Sequence, residues 1–189
     1  VVYAALSVSG VTKRYYRYRA PDDNNLDYFD ELGKSNRKFL MRKPITEGIL
    51  RSGFGMRYHP ILHYSRLHAG VDWSNKIGTP ILAAGDGVIT KAEWTNGYGR
   101  HIEIQHAYDF ETTYSHLSAY AKGVIEGARV KQGQIIGYLG SSGLSTGPHL
   151  HYEVKVKGEF KDPLAIKLPK NRELNPKELL VYRTEKTEI

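Results

Sequence analysis

Two histidines placed two positions apart give the first indication of chemistry in this chain. His149 and His151 lie in the stretch TGPHLHYEV, which is typical of a β-strand. Because side chains alternate between the two faces of a strand, both imidazoles point to the same side, about 6.5–7 Å apart. The pair could chelate one metal ion, or one histidine could bind a metal while the other faces a substrate. An exposed strand face that happens to carry two histidines explains the pair equally well.

A second pair combines a histidine with a carboxylate. His68 precedes Asp72 by four positions, a spacing that places both side chains on one face of a helix or a strand. Gly70 and the β-branched Val71 between them favour the extended form. Imidazole nitrogen and carboxylate oxygen are both good zinc ligands. The spacing alone is a weak signal, because a simple His–Asp hydrogen bond is its usual explanation.

Taken together, the two pairs predict a working metal site. His68, Asp72 and one of His149 and His151 would supply three nitrogen and oxygen ligands. Catalytic zinc has three protein ligands and an open fourth position, whereas structural zinc has four and usually includes cysteine. The chain contains no cysteine. The remaining histidine of the pair and His116 would then be available for acid–base chemistry near neutral pH.

Other polar residues near these stretches have less specific interpretations. His101 and His106 are five positions apart on a predicted strand, so they lie on opposite faces, and we expect both to be structural. His63 adds an imidazole to the loop before the site, where an ordinary surface role is expected. Glu153 shares a face with His151 and either orients that ring or is a solvated strand residue.

Glycine indicates the elements that must position these side chains. Seventeen of the 19 glycines fall between Gly48 and Gly158 and separate short β-branched and aromatic segments. This punctuation is typical of a mostly β, compact antiparallel domain with many tight turns. The predicted strands include residues 79–83, 87–93, 101–106, 111–116, 135–139 and 150–156.

The flanks differ from this centre in composition. Residues 1–46 predict a β segment with a turn at Gly33, either the end of an upstream domain, which we favour, or an arm packed on the core. Residues 166–189 are charged, lack glycine and predict a surface tail that frays. Short helices are expected near 117–121 and 175–180, where Pro176 could open a helical turn.

Charge and hydropathy exclude several classes of protein. The net charge is +7, but residues 47–165 carry 12 basic and 11 acidic groups, so nearly all of the excess positive charge lies in the flanks. No nucleic-acid-binding signature accompanies it, and we expect no nucleic-acid partner. No apolar run is long enough to be a membrane helix. The opening VVYAALSVSGV lacks the features of a signal peptide, and we expect a fragment or processed form of a longer precursor.

Seven motifs give the chain a resemblance to a known family. It resembles the lysostaphin-like zinc peptidases of family M23, also called LytM-domain peptidoglycan endopeptidases, over about residues 47–165. The SGFG-x-R-x-HP opening is most similar to members from Gram-negative envelopes. The motifs are SGFGMRYHP (52–60), HAGVDW (68–73), GTPILAAGDGVI (78–89), GYGRHIEIQH (97–106), YSHLS (114–118), VKQGQIIGYLGSSG (130–143) and STGPHLHYEV (145–154).

The resemblance implies a fold and a role for each of five residues. The fold would be the LytM, or duplicated-hybrid-motif-like, β-sheet domain. His68, Asp72 and His151 would hold Zn²⁺, and His116 and His149 would be catalytic. We expect His149 to act as general base and His116 to stabilise the oxyanion or protonate the leaving amine, although sequence cannot decide which histidine does which.

The resemblance also implies a substrate and a location. Similar proteins cut cross-linking peptides of peptidoglycan, and those of Gram-negative type typically act on D-Ala–diaminopimelate bridges. We therefore expect a periplasmic or cell-envelope enzyme, with a possible membrane tether or regulatory partner through sequence upstream of this chain. The alternative is a catalytically silent scaffold that binds peptidoglycan or activates another cell-wall hydrolase. Silent relatives typically lack ligands, and all five positions are intact here.

Overall fold

The computed structural model describes residues 2–21, 26–59 and 64–187, so His63 lies outside the described residues. The chain divides into two compact units. One unit combines Val1–Phe39 with Leu168–Ile189, and the other is Leu40–Lys167. All five residues with predicted roles in the site belong to the second unit.

The second unit is built on a ten-stranded sheet and a separate hairpin. The strands are β4 (Ile49–Ser52), β5 (Gly55–His59), β6 (Tyr64–His68), β7 (Gly70–Ser74), β8 (Pro80–Leu82), β9 (Gly87–Thr95), β10 (Gly99–Gln105), β11 (Phe110–Tyr120), β12 (Arg129–Val130), β13 (Ile135–Leu139), β14 (Leu150–Val156) and β15 (Glu159–Lys161). The strands of the large sheet pair antiparallel in the order β12-β9-β10-β11-β14-β7-β4, with β13, β8 and β15 attached to this path, while β5 pairs with β6 in the hairpin.

The centre of the sheet explains why these segments become strands. The first five residues of β14 are all buried, so both faces of that strand are covered. Tyr114 and Tyr152 are directly opposite each other on β11 and β14, and their ring centroids are 5.5 Å apart. Such cross-strand aromatic pairs are a main source of sheet stability. The predicted mostly β, antiparallel fold is confirmed, and each of the six predicted strand segments overlaps an observed strand.

The short helix expected near residues 117–121 is wrong. β11 runs to Tyr120, and its last part pairs with β13, where Leu117 is opposite Leu139. Leu117 is fully buried by this arrangement. The partner strand lies some 20 residues further along the chain. Local sequence therefore could not show that pairing would override a weak helical pattern.

The other unit contains a three-stranded antiparallel sheet and a helix. Its strands are β1 (Tyr3–Val8), β2 (Val11–Tyr18) and β3 (Asp27–Asp30), and its helix is α1 (Pro176–Thr187). The buried residues of its core are Tyr18, Ala20, Phe29, Leu174 and Tyr182. No helix among the described residues is long and apolar enough to cross a membrane.

The helix α1 begins where the sequence predicted and ends later. Asn175 Oδ1 accepts a hydrogen bond of 3.0 Å from the backbone N–H of Glu178, while Glu178 Oε2 accepts one of 2.8 Å from the N–H of Asn175. This reciprocal pair is a capping box, which satisfies the free N–H groups at a helix start. The expectation of a fraying surface tail is wrong for this segment, because Tyr182 is buried and its hydroxyl donates to the Phe29 carbonyl.

Candidate active site

Three neighbouring strands deliver the predicted metal ligands. His68 ends β6, Asp72 is the third residue of β7, and His151 is the second residue of β14. β7 and β14 are paired so that Asp72 and His151 are directly opposite each other. A single residue, Ala69, connects β6 to β7, so His68 stays close to the start of β7. Residues that are 83 positions apart in the sequence thus meet at one point.

The three side chains converge with one atom each. His68 Nε2 lies 3.2 Å from Asp72 Oδ1 and 3.2 Å from His151 Nδ1, and His151 Nδ1 lies 2.7 Å from Asp72 Oδ1. Tetrahedral zinc with bonds of about 2.0–2.1 Å requires its ligand atoms to be about 3.3 Å apart. Two of the three observed separations are close to that value, the His151–Asp72 pair is a shorter hydrogen bond, and these three residues could hold a metal ion. Two nitrogens and one carboxylate oxygen are a donor set that suits Zn²⁺.

The second nitrogen of each histidine is held by the protein. His68 Nδ1 lies 2.7 Å from the Gly53 carbonyl oxygen, which can accept its proton, and the Arg57 guanidinium also contacts this nitrogen. His151 Nε2 donates to Glu153 Oε1 at 2.9 Å. These contacts turn His68 Nε2 and His151 Nδ1 toward the convergence point, where both hydrogen-bond with Asp72 and where a metal ion would replace the shared protons. Metal-binding histidines are usually fixed in this way.

Glu153 is the buried centre of this supporting network. It is 1% exposed, and besides His151 it accepts hydrogen bonds from the Tyr98 hydroxyl at 3.0 Å and the Thr113 hydroxyl at 2.8 Å. Burial alone would raise the pKa of Glu153, but these hydrogen bonds and the charge of His151 lower it, so the group is a carboxylate. Of the two sequence interpretations of Glu153, the orienting role agrees with this geometry and the solvated one does not.

Tyr98 is a site residue that sequence reasoning missed. Its ring stacks on His101 and on His151, with centroids 5.0 and 5.9 Å away. Burial and the neighbouring Glu153 raise the pKa of Tyr98 to about 12, so its hydroxyl stays a neutral donor. No spacing rule connects Tyr98 with Glu153, which lies 55 positions later. In the sequence, the flanking Gly97 and Gly99 were the only indication that the backbone around Tyr98 is unusual.

The charges at the convergence point compensate each other. Burial would raise the pKa of Asp72, but hydrogen bonds from His151 and His68 lower it well below its ordinary value. Burial would lower the pKa of His151, but hydrogen bonds to Asp72 and Glu153 raise it to about 9. Asp72 is thus a carboxylate at all pH values near neutral, which is the form that binds a metal.

His116 is directed into the site by a β-bulge. Arg100 opposes Leu117 and Ile102 opposes Tyr114, so β11 has one more residue than β10 between these pairs. His116 occupies the bulge with a φ of 64°, a conformation that non-glycine residues rarely adopt. Its Nδ1 donates to the Ser142 carbonyl at 2.7 Å, which leaves Nε2 without its own proton. Burial lowers the pKa of His116 to about 4.

His149 faces His116 across the same cavity. Their ring centroids are 4.6 Å apart. His149 Nδ1 donates to the Gly147 carbonyl at 2.8 Å, and its Nε2 lies 3.9 Å from Asp72 Oδ1. His149 therefore presents Nε2 close to the convergence point, while the ring centroid of His116 lies 6.1 Å from that of His151, and neither residue belongs to the three-residue cluster. The two histidines of the TGPHLHYEV stretch therefore have different places in the structure: His151 joins His68 and Asp72, and His149 lies beside them.

A cavity of about 630 Å³ contains all five predicted residues. Its other lining residues include Arg57, Arg66, Leu144 and Thr146. His101 and His106 are outside it and are buried with hydrogen-bond partners, as predicted for structural residues. The arrangement combines a metal-capable cluster with two acid–base groups in one open cavity.

Comparison with known proteins agrees with the geometry. Residues 66–163, more than half of the chain, match the peptidase family M23. The chain belongs to this family. The predicted membership in M23 is confirmed, and the M23 match contains every residue of the cluster.

Several M23 proteins are similar to the chain. The DD-carboxypeptidase/endopeptidase Mpg of Neisseria meningitidis is 46% identical over 127 residues, which is 67% of this chain and 29% of that protein. The peptidoglycan DD-endopeptidase ShyC of Vibrio cholerae is 41% identical over 157 residues, 82% of this chain and 36% of that protein. A zinc-containing peptidase from Vibrio cholerae of solved structure has a TM-score of 0.67 and 29% identity over 88% of this chain and 50% of that one. The chain thus spans about a third of the length of the curated M23 relatives.

Proposed function

We propose that this chain is a zinc-dependent endopeptidase that hydrolyses cross-linking peptides of bacterial peptidoglycan. His68, Asp72 and His151 would hold the zinc ion. The observation that carries the proposal is the convergence of one potential ligand atom from each of these residues, with the second nitrogen of both histidines held by contacts with protein oxygens. When bound there, zinc acts as a Lewis acid that polarises a carbonyl group and makes water nucleophilic near neutral pH.

His149 is the general base in this proposal. Its Nδ1–H is held by the Gly147 carbonyl, so Nε2 is free to take a proton from the attacking water. The carboxylate of Asp72, 3.9 Å from Nε2, stabilises the imidazolium that results. The backbone contact fixes the ring, so the base needs no rearrangement to act.

His116 is proposed as the second proton-transfer group. With Nδ1–H held by Ser142 and a lowered pKa, the ring is neutral at pH 7 and presents an acceptor at Nε2. A proton taken up at Nε2 makes His116 a strong acid, which favours its transfer to the leaving amine. Hydrogen-bond donation to the oxyanion also requires this protonated form.

The substrate proposal rests on the relatives and on the shape of the site. One similar protein is named a DD-carboxypeptidase/endopeptidase and another a peptidoglycan DD-endopeptidase. We infer that this chain acts on the D-Ala–diaminopimelate bridge in a Gram-negative cell envelope. An open cavity suits a branched polymer strand. The silent-scaffold alternative is not favoured, because all five site residues are present and line one cavity.

Digestion of purified sacculi tests this function. Zinc-loaded protein should release cross-link peptides, and a chelator should stop the release until zinc is added back. The His149→Ala variant should bind one zinc ion per chain like the wild type, while hydrolysis falls at least about 100-fold. If the variant loses zinc together with activity, His149 is a ligand and the proposed division of roles is wrong. Absence of chelator-sensitive release by the wild type would contradict the enzyme itself.

A further inference from the structure

Two arginines face each other across the hairpin at the rim of the cavity. Arg57 on β5 and Arg66 on β6 are direct cross-strand partners, so their side chains lie on the same face. Arg66 is two residues before His68 on β6, and it therefore shares the face of that histidine. Both arginines line the cavity that contains the site.

Like charges directly opposite each other destabilise a strand pair. Within the part of the chain that the structure describes, neither guanidinium is paired with a carboxylate. Arg57 donates to the Gly53 carbonyl at 3.0 Å and contacts His68 Nδ1. The carboxylates of the cavity, Asp72 and Glu153, are already held by the site's histidines and by Tyr98 and Thr113. An anion between the two arginines would relieve their repulsion.

The position of the pair limits where that anion can be. Two residues of a strand span about 6.5–7 Å, so the Arg66 backbone is this close to that of His68. Arg66 lines the cavity together with His68 and His151, so its side chain faces the site. A group bound by the arginine pair therefore lies close to the metal-capable cluster, within about the length of one substrate residue.

We propose that Arg57 and Arg66 bind a free carboxylate on the substrate residue that follows the scissile bond. This inference rests on the function proposed above. In a D-Ala–diaminopimelate bridge, the carbon that carries the cleaved nitrogen also carries a free carboxylate. Guanidinium groups recognise carboxylates through paired, charge-assisted hydrogen bonds. The site therefore selects peptides with a free α-carboxylate immediately after the cut, whether in a cross-link or at a chain end.

Matched peptides test the proposal with the full chain. One peptide ends in D-Ala–D-Ala with a free carboxylate, and the other is its C-terminal amide. The wild type should cut the acid with a kcat/KM about 10- to 100-fold higher than that of the amide. Arg66→Gln should lower the kcat/KM for the acid to that for the amide, mainly through KM. Arg66→Lys should keep part of the preference. Arg57 is left intact because it contacts His68.

Two further measurements separate this proposal from the proposed function. Arg129→Gln removes an exposed arginine outside the cavity and should keep the full preference. Binding of both peptides to chelator-treated protein gives a readout without hydrolysis. The wild type should bind the acid more tightly than the amide, whereas Arg66→Gln should bind the two peptides with the same affinity. The proposal would be overturned if the wild type cut the acid and the amide with the same kcat/KM, or if Arg66→Gln lowered kcat/KM for both peptides by the same factor. Failure to cut sacculi with the binding preference intact would contradict the enzymatic function alone.

Discussion

At the scale of single residues, the site depends on how each imidazole divides its two nitrogens. In every one of the four site histidines, one nitrogen contacts a protein oxygen and the other faces the cavity or the metal-capable cluster. Three of these oxygens are backbone carbonyls, and the fourth belongs to the carboxylate of Glu153. A carboxylate partner makes the opposite nitrogen a stronger donor of electron density to a metal. His151 is therefore the proposed ligand whose affinity depends most on a side chain.

Replacement of Glu153 by glutamine tests this dependence. The variant keeps the size of the side chain and removes its charge, so zinc affinity should fall about 10- to 100-fold. Competition with a chromogenic chelator measures the affinity directly. The control is Glu159→Gln, because Glu159 is exposed and pairs with Lys161 outside the cavity. Equal zinc affinities of the Glu153→Gln variant and the wild type would show that the carboxylate has no orienting role.

At the scale of elements, the site depends on how closely β7 approaches β14. Gly70 begins β7 opposite Glu153, and a Cβ at Gly70 would lie 2.4 Å from the Tyr152 carbonyl oxygen. The contact is with backbone, which cannot move away like a flexible side chain. Only glycine allows the two strands to pair at this distance, two residues before Asp72. The close pairing is what brings Asp72 opposite His151.

The Gly70→Ala variant should be destabilised by about 1–3 kcal/mol, because the added methyl group forces the two strands apart. Urea unfolding measures this loss, and zinc affinity should fall in parallel as Asp72 moves away from His151. Gly53→Ala is the control for urea unfolding only, since a Cβ there has nothing within 4 Å but the Gly53 carbonyl contacts His68. If both variants unfold at the same urea concentration, the proposed steric role of Gly70 is wrong.

At the scale of the whole molecule, buried neutral histidines make stability depend on pH. His106 belongs to a buried chain of hydrogen bonds: the Ala84 N–H donates to the Tyr114 hydroxyl, which contacts the Thr112 hydroxyl, which contacts His106 Nε2. His106 Nδ1 completes the chain by donating to the Asp86 carbonyl. Burial lowers the pKa of His106 below its ordinary value of 6.5. Protonation would remove the acceptor on which Thr112 relies.

The sign of the pH effect follows from this lowered pKa. Because the unfolded chain binds a proton at a higher pH than the folded one, the contribution of His106 is complete above pH 6.5 and is lost as the pH falls toward its folded pKa. The urea midpoint of the wild type should therefore decrease between about pH 7 and pH 5. His106→Gln retains a donor and an acceptor but cannot be protonated, so its midpoint should decrease less. Identical pH dependence of the two proteins would exclude His106 as a source of acid sensitivity.

Sequence alone determined the features of this protein that have local signals. Glycine punctuation and β-branched segments predicted the antiparallel β fold, because turn geometry and strand alternation depend on residues a few positions apart. The motifs predicted membership of family M23 and indicated the five residues of the site. The spacing of His149 and His151 predicted a shared strand face; in the structure both line one cavity, but His149 lies one residue before β14, in a bridge with Gly140. The resemblance assigned the two histidines different roles.

Only the tertiary structure decided the features that depend on distant partners. Glu153 is a buried acceptor because Tyr98 and Thr113, 55 and 40 positions away, enclose it. Residues 117–120 form a strand because β13 pairs with them, and His116 reaches the cavity through a bulge that appears only when β10 and β11 are in register. Arg57 and Arg66 face each other because of the register of β5 and β6. Register and burial are properties of strand pairs, so one strand's sequence cannot specify them.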